Sequence, residues 1–461
     1  LAYRFFFVVI VPSAFRVDTQ ISAHKILTTN CVLDVKNITV RMLLSYICNI
    51  LKFKKWEILS LLAILIALKW FTIFTFQPNI RRSIELHKCP ACFGTSACNY
   101  IHEVDIALRD VYSVFAYFFG VKNVFFGVFN GSRVILKKLA QNSELDEFDR
   151  MICEDEAFSD VCTKSIKRTD YKINANFREL VEKEIGTNPV RNNFNRLKLC
   201  PTVQRLNALL NDVYYYERDT DRKVLDVYVW VLTVLNPEPL VLQILSADKG
   251  WPVPKYFGAC GRIVVEEYVG LPLTAYYNEP WLRRAKLASS LLDAAYKFTY
   301  KNENFSFYLT DVSADNVAVD SADNVKFVDL ESIIVVDKST TPTGILKVKR
   351  VEKSTTWNRL QVNTEDFSCS ECLAFSSTDI CNHRVSDHNY YAICKVLLTL
   401  NVNNGILPGG LLHDMPADIF ESYPNVRRLI QQCVHPQTPL NRIDAGIELK
   451  KLLDIIIQRR K

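Results

Sequence analysis

The sequence predicts an α+β fold in which a small β-rich lobe precedes a larger helical lobe. Apolar residues alternate through 121–139 around an Asn130-Gly131 turn signal, a pattern typical of a β-hairpin. Beyond residue 270, Leu287 and Leu291 belong to an apolar stripe that repeats at helical spacing. Hydrophobic residues make up 49% of the 461-residue chain, which predicts a large buried core and argues against general disorder.

An apolar segment precedes these lobes at residues 56–76 and is about as long as a membrane-spanning helix. Lys69 interrupts it, and the lysines at 52, 54 and 55 supply a basic region before it. We interpret the segment as an uncleaved signal anchor, because the residues after it lack a small-x-small cleavage site. A cleaved signal peptide with its core at 58–68 is the alternative. Both interpretations send the following residues across the membrane.

The residues before this segment, 1–55, are interpreted as cytoplasmic or of uncertain origin. The chain begins at Leu1, and its first methionine is Met42. We therefore expect either a fragment or a sequence whose first 41 residues come from an uncertain gene model.

Twelve of the fourteen cysteines follow the apolar segment, an even number, as a disulfide framework in an oxidising compartment requires. These cysteines are Cys89, Cys92, Cys98, Cys153, Cys162, Cys200, Cys260, Cys369, Cys372, Cys381, Cys394 and Cys433. Zinc is the alternative for the Cys89 and Cys369 pairs, but no histidine stands at finger-like spacing from either. Glycosylation sequons at Asn130 and Asn304 add support for a lumenal glycoprotein.

The chain after the anchor divides into three predicted parts. Residues 77–120 form a stem and a cysteine-rich motif, with a helix predicted over 100–119. Residues 121–270 form the small lobe with an insertion, and residues 271–461 form the large lobe. The net charge of +6 is spread along the chain, so no nucleic-acid partner is predicted. The predicted membrane contact is made through residues 56–76.

A stretch rich in Asp and Asn, residues 308–331, carries the candidate chemistry. Two short apolar runs, at 317–319 and 325–328, flank a polar turn and predict a β-hairpin. A hairpin brings its outer ends together, so we expect Asn316 to lie near Asp329. Amide and carboxylate oxygens are hard ligands suited to Mg²⁺ or Mn²⁺.

This stretch resembles the catalytic core of protein kinases, which carries a catalytic Asp, a metal-binding Asn five residues later and a metal-binding Asp after the next hairpin. The resemblance implies a protein-kinase-like bilobal fold and ATP as a cofactor. It also implies that Asp311 is the catalytic base and that Asn316 and Asp329 hold Mg²⁺ or Mn²⁺. The strand Val134-Ile-Leu-Lys137 is similar to the kinase strand whose lysine holds the α and β phosphates, so Lys137 is the candidate ATP-binding residue.

The kinase pattern is incomplete at three places. Leu309-Thr310 stands where His-Arg is usual, and Leu330-Glu331 stands where Phe-Gly is usual. Only Gly127 and Gly131 are available for a glycine-rich loop. We therefore expect phosphate binding by backbone amides to be weaker or differently built.

The identity of the acidic residue that pairs with Lys137 stays open. Glu144 and Glu147 lie on a short predicted helix directly after the strand. Alternatively, an insertion follows and the pairing helix is 224–235, which offers only Asp226. The motif that begins at Asn236 looks like the helix-to-strand passage that follows the pairing helix in kinases, which favours the insertion.

Four longer strings identify the chain as a member of the divergent protein kinase domain family, in the subgroup known as deleted in autism. They are Cys-Pro-Ala-Cys-Phe-Gly-Thr-Ser from Cys89, Asn-Pro-Glu-Pro-Leu-Val-Leu-Gln from Asn236, Gly-Ala-Cys-Gly-Arg from Gly258, and Asp-His-Asn-Tyr-Tyr-Ala from Asp387. The resemblance covers residues 88–461. It implies a kinase-like fold with disulfides in the secretory pathway, either as a Golgi membrane protein with a lumenal C-terminal domain or as a secreted protein.

Two functions are compatible with this resemblance. In the first, the protein transfers the ATP γ-phosphate to an unknown secretory-pathway acceptor. In the second, it is a weak or inactive pseudokinase that acts on an unknown receptor as a secreted or membrane-tethered signalling or trafficking protein.

Overall fold

The computed structural model describes residues 60, 63–68, 80–107, 123–162, 173–186, 197–216, 220–339, 356–357, 373, 375–399, 409–436 and 441–460. The chain forms two compact units, residues 1–71 and residues 72–461. In the first unit, Ser60 and residues 63–68 are helical. The remainder of the predicted anchor, 56–76, lies outside the described residues.

Among the residues that the structure describes, no single helix has both the length and the apolar content needed to cross a bilayer. Two consecutive segments, 222–235 and 238–249, satisfy these criteria only together, with a bend of 120° between them. Most of their apolar side chains are buried in the core of the second unit.

A five-stranded antiparallel sheet forms the small lobe. Its strands are β1 (Asp105–Ala107), β2 (Asn123–Phe129), β3 (Ser132–Lys138), β5 (Tyr256–Cys260) and β6 (Ile263–Glu267). They lie side by side in the order β1-β2-β3-β6-β5. Between β2 and β3, Asn130 and Gly131 have φ angles of 48° and 75°, the left-handed values that a two-residue hairpin turn requires. The predicted hairpin is therefore confirmed.

The prediction of a helix over residues 100–119 is wrong at residues 105–107, which form β1. This strand pairs with β2, and the pairing satisfies backbone groups along the edge of the sheet. A neighbouring strand thus overrides the local helical pattern. Residues 108–122 lie outside the described residues.

The cysteine-rich motif packs onto the same sheet, after a short helix α1 (Ile80–Ile84). Disulfides join Cys89 to Cys92 and Cys98 to Cys260, so a zinc site at the first pair is excluded. Gly261 is required where the motif meets the sheet, because a Cβ there would lie 1.9 Å from the Ile84 carbonyl oxygen.

The insertion between β3 and β5 is mostly helical. It contains α2 (Asn142–Glu154), α3 (Phe177–Gly186), β4 (Leu197–Cys200), α4 (Leu206–Leu209), α5 (Asn211–Tyr216), α6 (Arg222–Leu235) and α7 (Glu238–Ile244). A disulfide joins Cys153 to Cys162 at the end of α2. Sequence patterns predicted α2 and α6 but not α3, β4 or a helix starting at Glu238.

The second part of the chain adds long helices and two three-stranded sheets. Its elements are β7 (Leu271–Pro272), α8 (Trp281–Tyr300), β8 (Phe305–Leu309), β9 (Val317–Val319), β10 (Val325–Phe327), β11 (Ile333–Asp337), β12 (Thr356–Trp357), α9 (Ser377–Cys381), β13 (Val385–Ser386), α10 (His388–Ala392), α11 (Ala417–Ser422), α12 (Asn425–Val434) and α13 (Arg442–Arg459). The sheets have the strand orders β10-β9-β7 and β4-β11-β8. The predicted apolar stripe lies on α8 and is buried, which confirms that helix.

Strand β4 connects the insertion to this second part. It pairs in parallel with β11, and a disulfide from Cys200 to Cys381 joins it to α9. A further disulfide joins Cys394, just after α10, to Cys433 on α12. The expectation of a disulfide framework is confirmed for these pairs, whereas Cys369 and Cys372 lie outside the described residues.

Candidate functional site

The β9–β10 hairpin places Asn316 beside the segment that carries Asp329. Val317 is paired with Phe327 in antiparallel register, so Asn316 and Val328 lie just outside the last pair. The Val328 amide donates a hydrogen bond to the Asn316 carbonyl at 3.0 Å. The structure therefore brings Asn316 and Asp329 to the same end of the predicted hairpin.

Asp311 lies exposed in the loop between β8 and β9. The side-chain Nδ2 of Asn316 donates to Asp311 Oδ2 at 3.2 Å and to the Asp311 carbonyl at 3.4 Å. Because Nδ2 faces Asp311, the Asn316 Oδ1 is directed away from that carboxylate. The loop thus combines a carboxylate that can accept a proton with an amide oxygen that can bind a cation.

Helix α10 fixes the strand that leads into this loop. Asn389 Oδ1 accepts a hydrogen bond from the Leu309 amide at 3.1 Å, and its Nδ2 donates to the Phe307 carbonyl at 2.8 Å. The ring of His388 donates from Nε2 to the Leu309 carbonyl at 2.7 Å. These buried contacts hold the backbone two residues before Asp311.

Lys137 on β3 connects the small lobe to the Asp329 segment. Its ammonium donates to Glu238 Oε1 at 2.7 Å and to the Val328 carbonyl at 2.7 Å. It also forms an ion pair with Glu266 Oε2 at 3.0 Å. We name Lys137, Glu238, Glu266 and Asp329 the Lys137 cluster.

Burial and mutual repulsion dominate the electrostatics of the Lys137 cluster. Burial lowers the pKa of Lys137, but the charges of Glu238 and then Glu266 outweigh burial and raise it above 10.5. Burial raises the pKa of Glu238 and of Glu266 more than Lys137 lowers them, and Asp329 raises both further. The lysine therefore stays charged, while each of the two glutamates is harder to ionise than a free carboxyl.

The acid that pairs with Lys137 is not one of the residues proposed from the sequence. Glu144 is exposed and accepts a hydrogen bond from the Gln141 amide at 2.7 Å, closing the first turn of α2. Glu147 is also exposed, and Asp226 accepts from the Tyr214 hydroxyl at 3.0 Å.

The motif at Asn236 begins helix α7, so its interpretation as a helix-to-strand passage is wrong. Asn236 Oδ1 accepts a hydrogen bond from the Glu238 amide at 2.9 Å, and its Nδ2 donates to Glu331 Oε2 at 2.7 Å. One side chain therefore orders the start of α7 and also contacts the glutamate that stands where kinases have glycine. Asn followed by Pro is a helix-start signal, and it could have identified Glu238 as a first-turn residue.

The β2–β3 hairpin offers few backbone amides to a phosphate. Phe129 and Ser132 are still paired, which leaves only Asn130 and Gly131 in the turn. Gly127 serves packing, since a Cβ there would lie 2.6 Å from a methyl group of Val104. The expectation that phosphate binding by backbone amides is weaker or differently built stays a prediction.

The donor set fits a nucleotide with a divalent cation only in part. Asn316 and Asp329 can supply an amide oxygen and a carboxylate, and Lys137 supplies a buried ammonium suited to a phosphate. In the described ranges, no group of three or more His, Cys, Asp and Glu side chains is arranged to hold a metal ion. A cation at this site would therefore complete its coordination with phosphate oxygens and water.

The two lobes, the lysine–glutamate ion pair and the Asp–Asn loop together define a protein-kinase-like domain. A family described as "Protein-kinase domain of FAM69" matches residues 229–436. Together with the relatives described next, this match shows that the chain belongs to the divergent protein kinase domain family, as its sequence motifs predict.

The relatives cover most of the chain. Divergent protein kinase domain 2A of Xenopus tropicalis is 35% identical over 420 residues, which are 86% of this chain and 93% of that protein. The Homo sapiens protein of the same name is 33% identical over 81% of this chain and 87% of that protein. Divergent protein kinase domain 2B of Homo sapiens is 24% identical over 77% of this chain and 83% of that protein.

Proposed function

We propose that this protein binds ATP with Mg²⁺ or Mn²⁺ between its lobes and transfers the γ-phosphate to an acceptor of the secretory pathway. The proposal rests on two contacts of the Lys137 ammonium, one with Glu238 and one with the carbonyl of Val328, the residue before Asp329. The contact joins the candidate phosphate-binding residue to the candidate metal-binding segment across the two lobes.

Each residue of the site has a distinct part in the proposed reaction. Lys137 orients the phosphates, and Asn316 and Asp329 would hold the cation, which neutralises phosphate charge when bound. Asp311 is exposed and accepts the proton of the acceptor hydroxyl. The Asn316 amide, 3.2 Å from Asp311, orients that carboxylate.

A pseudokinase is the second candidate, and two observations favour it. The β2–β3 turn is too tight to wrap around phosphates, and Glu331 places a further carboxylate close to the site. In this case the same fold binds an unknown receptor as a secreted or membrane-tethered protein and transfers no phosphate.

The first experiment is a thermal-shift titration of the full chain with ATP and either Mg²⁺ or Mn²⁺. We expect a metal-dependent rise in melting temperature for the wild-type chain, since a ligand that binds only the folded state stabilises it. Asp329→Asn should abolish the rise, whereas the surface variant Asp293→Asn should retain it. The absence of any shift at millimolar ATP in folded protein would exclude nucleotide binding and favour the pseudokinase.

We further propose that the chain is a glycoprotein of the Golgi or another secretory-pathway membrane, anchored through residues 56–76 or secreted. Five disulfides among the described residues support an oxidising compartment. Asn130 and Asn304 are both exposed, so either sequon is accessible to a glycan.

N-glycosylation is tested with the chain expressed in animal cells. Removal of N-glycans with a glycosidase should increase its electrophoretic mobility, and Asn130→Gln with Asn304→Gln should reduce that change. Their sequon partners Ser132→Ala and Ser306→Ala should act in the same way. An unchanged mobility of the wild-type chain would count against a lumenal location.

A further inference from the structure

The proposed reaction does not use the second carboxylate on Lys137. Lys137 on β3 lies opposite Val264 on β6, and Glu266 is two residues further along β6. Residues two apart on a strand share a face of the sheet, so Glu266 is a diagonal neighbour of Lys137 on that face. The strand pairing by itself therefore brings the Glu266 side chain next to the Lys137 side chain, independently of α7 and Glu238.

All three N–H groups of the Lys137 ammonium have partners. They are Glu238 at 2.7 Å, the Val328 carbonyl at 2.7 Å and Glu266 at 3.0 Å. An ammonium has three donors and no acceptor. A phosphate oxygen can therefore bind Lys137 only when it replaces one of these oxygens.

Glu266 is the partner that is held least firmly. Its contact with Lys137 is the longest of the three, and its Oε1 is buried without a hydrogen-bond partner among the described residues. The side chain is only 1% exposed, so water does not compensate for this oxygen. The neighbouring carboxylate of Asp329 repels it further.

We propose that Glu266 occupies the position of a nucleotide phosphate on Lys137 and thereby sets the nucleotide affinity of this site. The inference rests on the nucleotide binding proposed above. Glu266 and a nucleoside triphosphate carry charge of the same sign and require the same ammonium, so the two compete. Binding of the triphosphate releases Glu266, whereas Glu238 remains paired with Lys137.

The test is a calorimetric titration of the full chain with ATP and Mn²⁺. Glu266→Gln keeps the shape of the side chain and removes its charge, so we expect Kd to fall about tenfold, as relief of like-charge juxtaposition can produce. The matched control is Glu267→Gln, the next residue on β6, whose carboxylate pairs with Lys326 at 2.8 Å. The Kd of this control should stay within about twofold of wild type, because its charge does not face Lys137.

The outcomes separate this inference from the proposed function. Equal Kd values for wild type and Glu266→Gln would overturn the inference and leave nucleotide binding intact. No binding by any variant, each with a cooperative melting transition, would overturn both. Glu266→Met is the second variant, because it also removes the amide oxygen through which glutamine can retain Lys137, and it should lower Kd in the same direction.

Discussion

Arg442→Met is expected to lower the free energy of unfolding by about 3–5 kcal/mol, because it leaves a buried carboxylate without its counter-charge. Arg442 donates from Nη1 to Asp387 Oδ2 at 2.7 Å, and neither side chain is exposed to solvent. Asp387 directly precedes α10, the helix that holds the backbone before Asp311. Chemical denaturation of the full chain, with its disulfides intact, measures the loss.

The control for this prediction is the same substitution at an exposed pair. Arg150 and Glu154 form an i,i+4 ion pair at 2.7 Å with more than half of each side chain exposed, so Arg150→Met should cost less than about 1 kcal/mol. Adding Asp387→Asn to Arg442→Met should restore part of the stability, because the buried charge that Arg442 balanced is then removed. Equal losses for the two arginine variants would contradict the prediction.

His388→Gln is expected to reduce the acid sensitivity of the protein. Burial lowers the pKa of His388 from 6.5 to about 4; its hydrogen bond to Leu309 opposes this shift, and the Arg442 charge adds to it. Above pH 6.5 both the folded and the unfolded histidine are neutral. As the pH falls from 6.5 to 4, the unfolded state binds the proton first, so stability decreases and levels off below pH 4.

The contribution of this histidine is about 3 kcal/mol across the whole interval, from about 1.4 kcal/mol for each pKa unit. Glutamine can still donate to the Leu309 carbonyl but does not titrate, so the variant should lack this part of the loss. Urea unfolding midpoints at pH 7 and pH 4 measure the difference, with His435→Gln as the control at an exposed histidine. A pH dependence identical to that of the wild-type chain would show that His388 does not govern the acid response.

The β9–β10 hairpin is the part of the candidate site that can be predicted most completely from sequence. Its two strands and its turn lie within a short stretch, so alternation and turn residues are enough to define the register. The positions of Asn316 and Asp329 at one end follow directly from that register. The same reasoning succeeds for the β2–β3 hairpin and so for the strand position of Lys137.

The acid partners of Lys137 could not be predicted in this way. Glu238 is 101 residues from Lys137 in sequence and lies in the last helix of the insertion. A helix-start signal at Asn236 predicts the beginning of α7, but it does not show which strand the first turn of this helix packs against. For Glu266 and Glu267, strand alternation shows that they face opposite sides without showing which side carries Lys137.

Elements whose geometry depends on near neighbours were predictable from the sequence: the two hairpins, the long apolar helix and the cysteine-rich motif, together with the family. The contacts between distant groups were visible only in the fold; they include the two glutamates on Lys137, the asparagine that contacts Glu331 and the disulfide partners. Turn type, alternation and helical period act over a few residues. Ion pairs between remote segments instead depend on how whole lobes pack and exclude water.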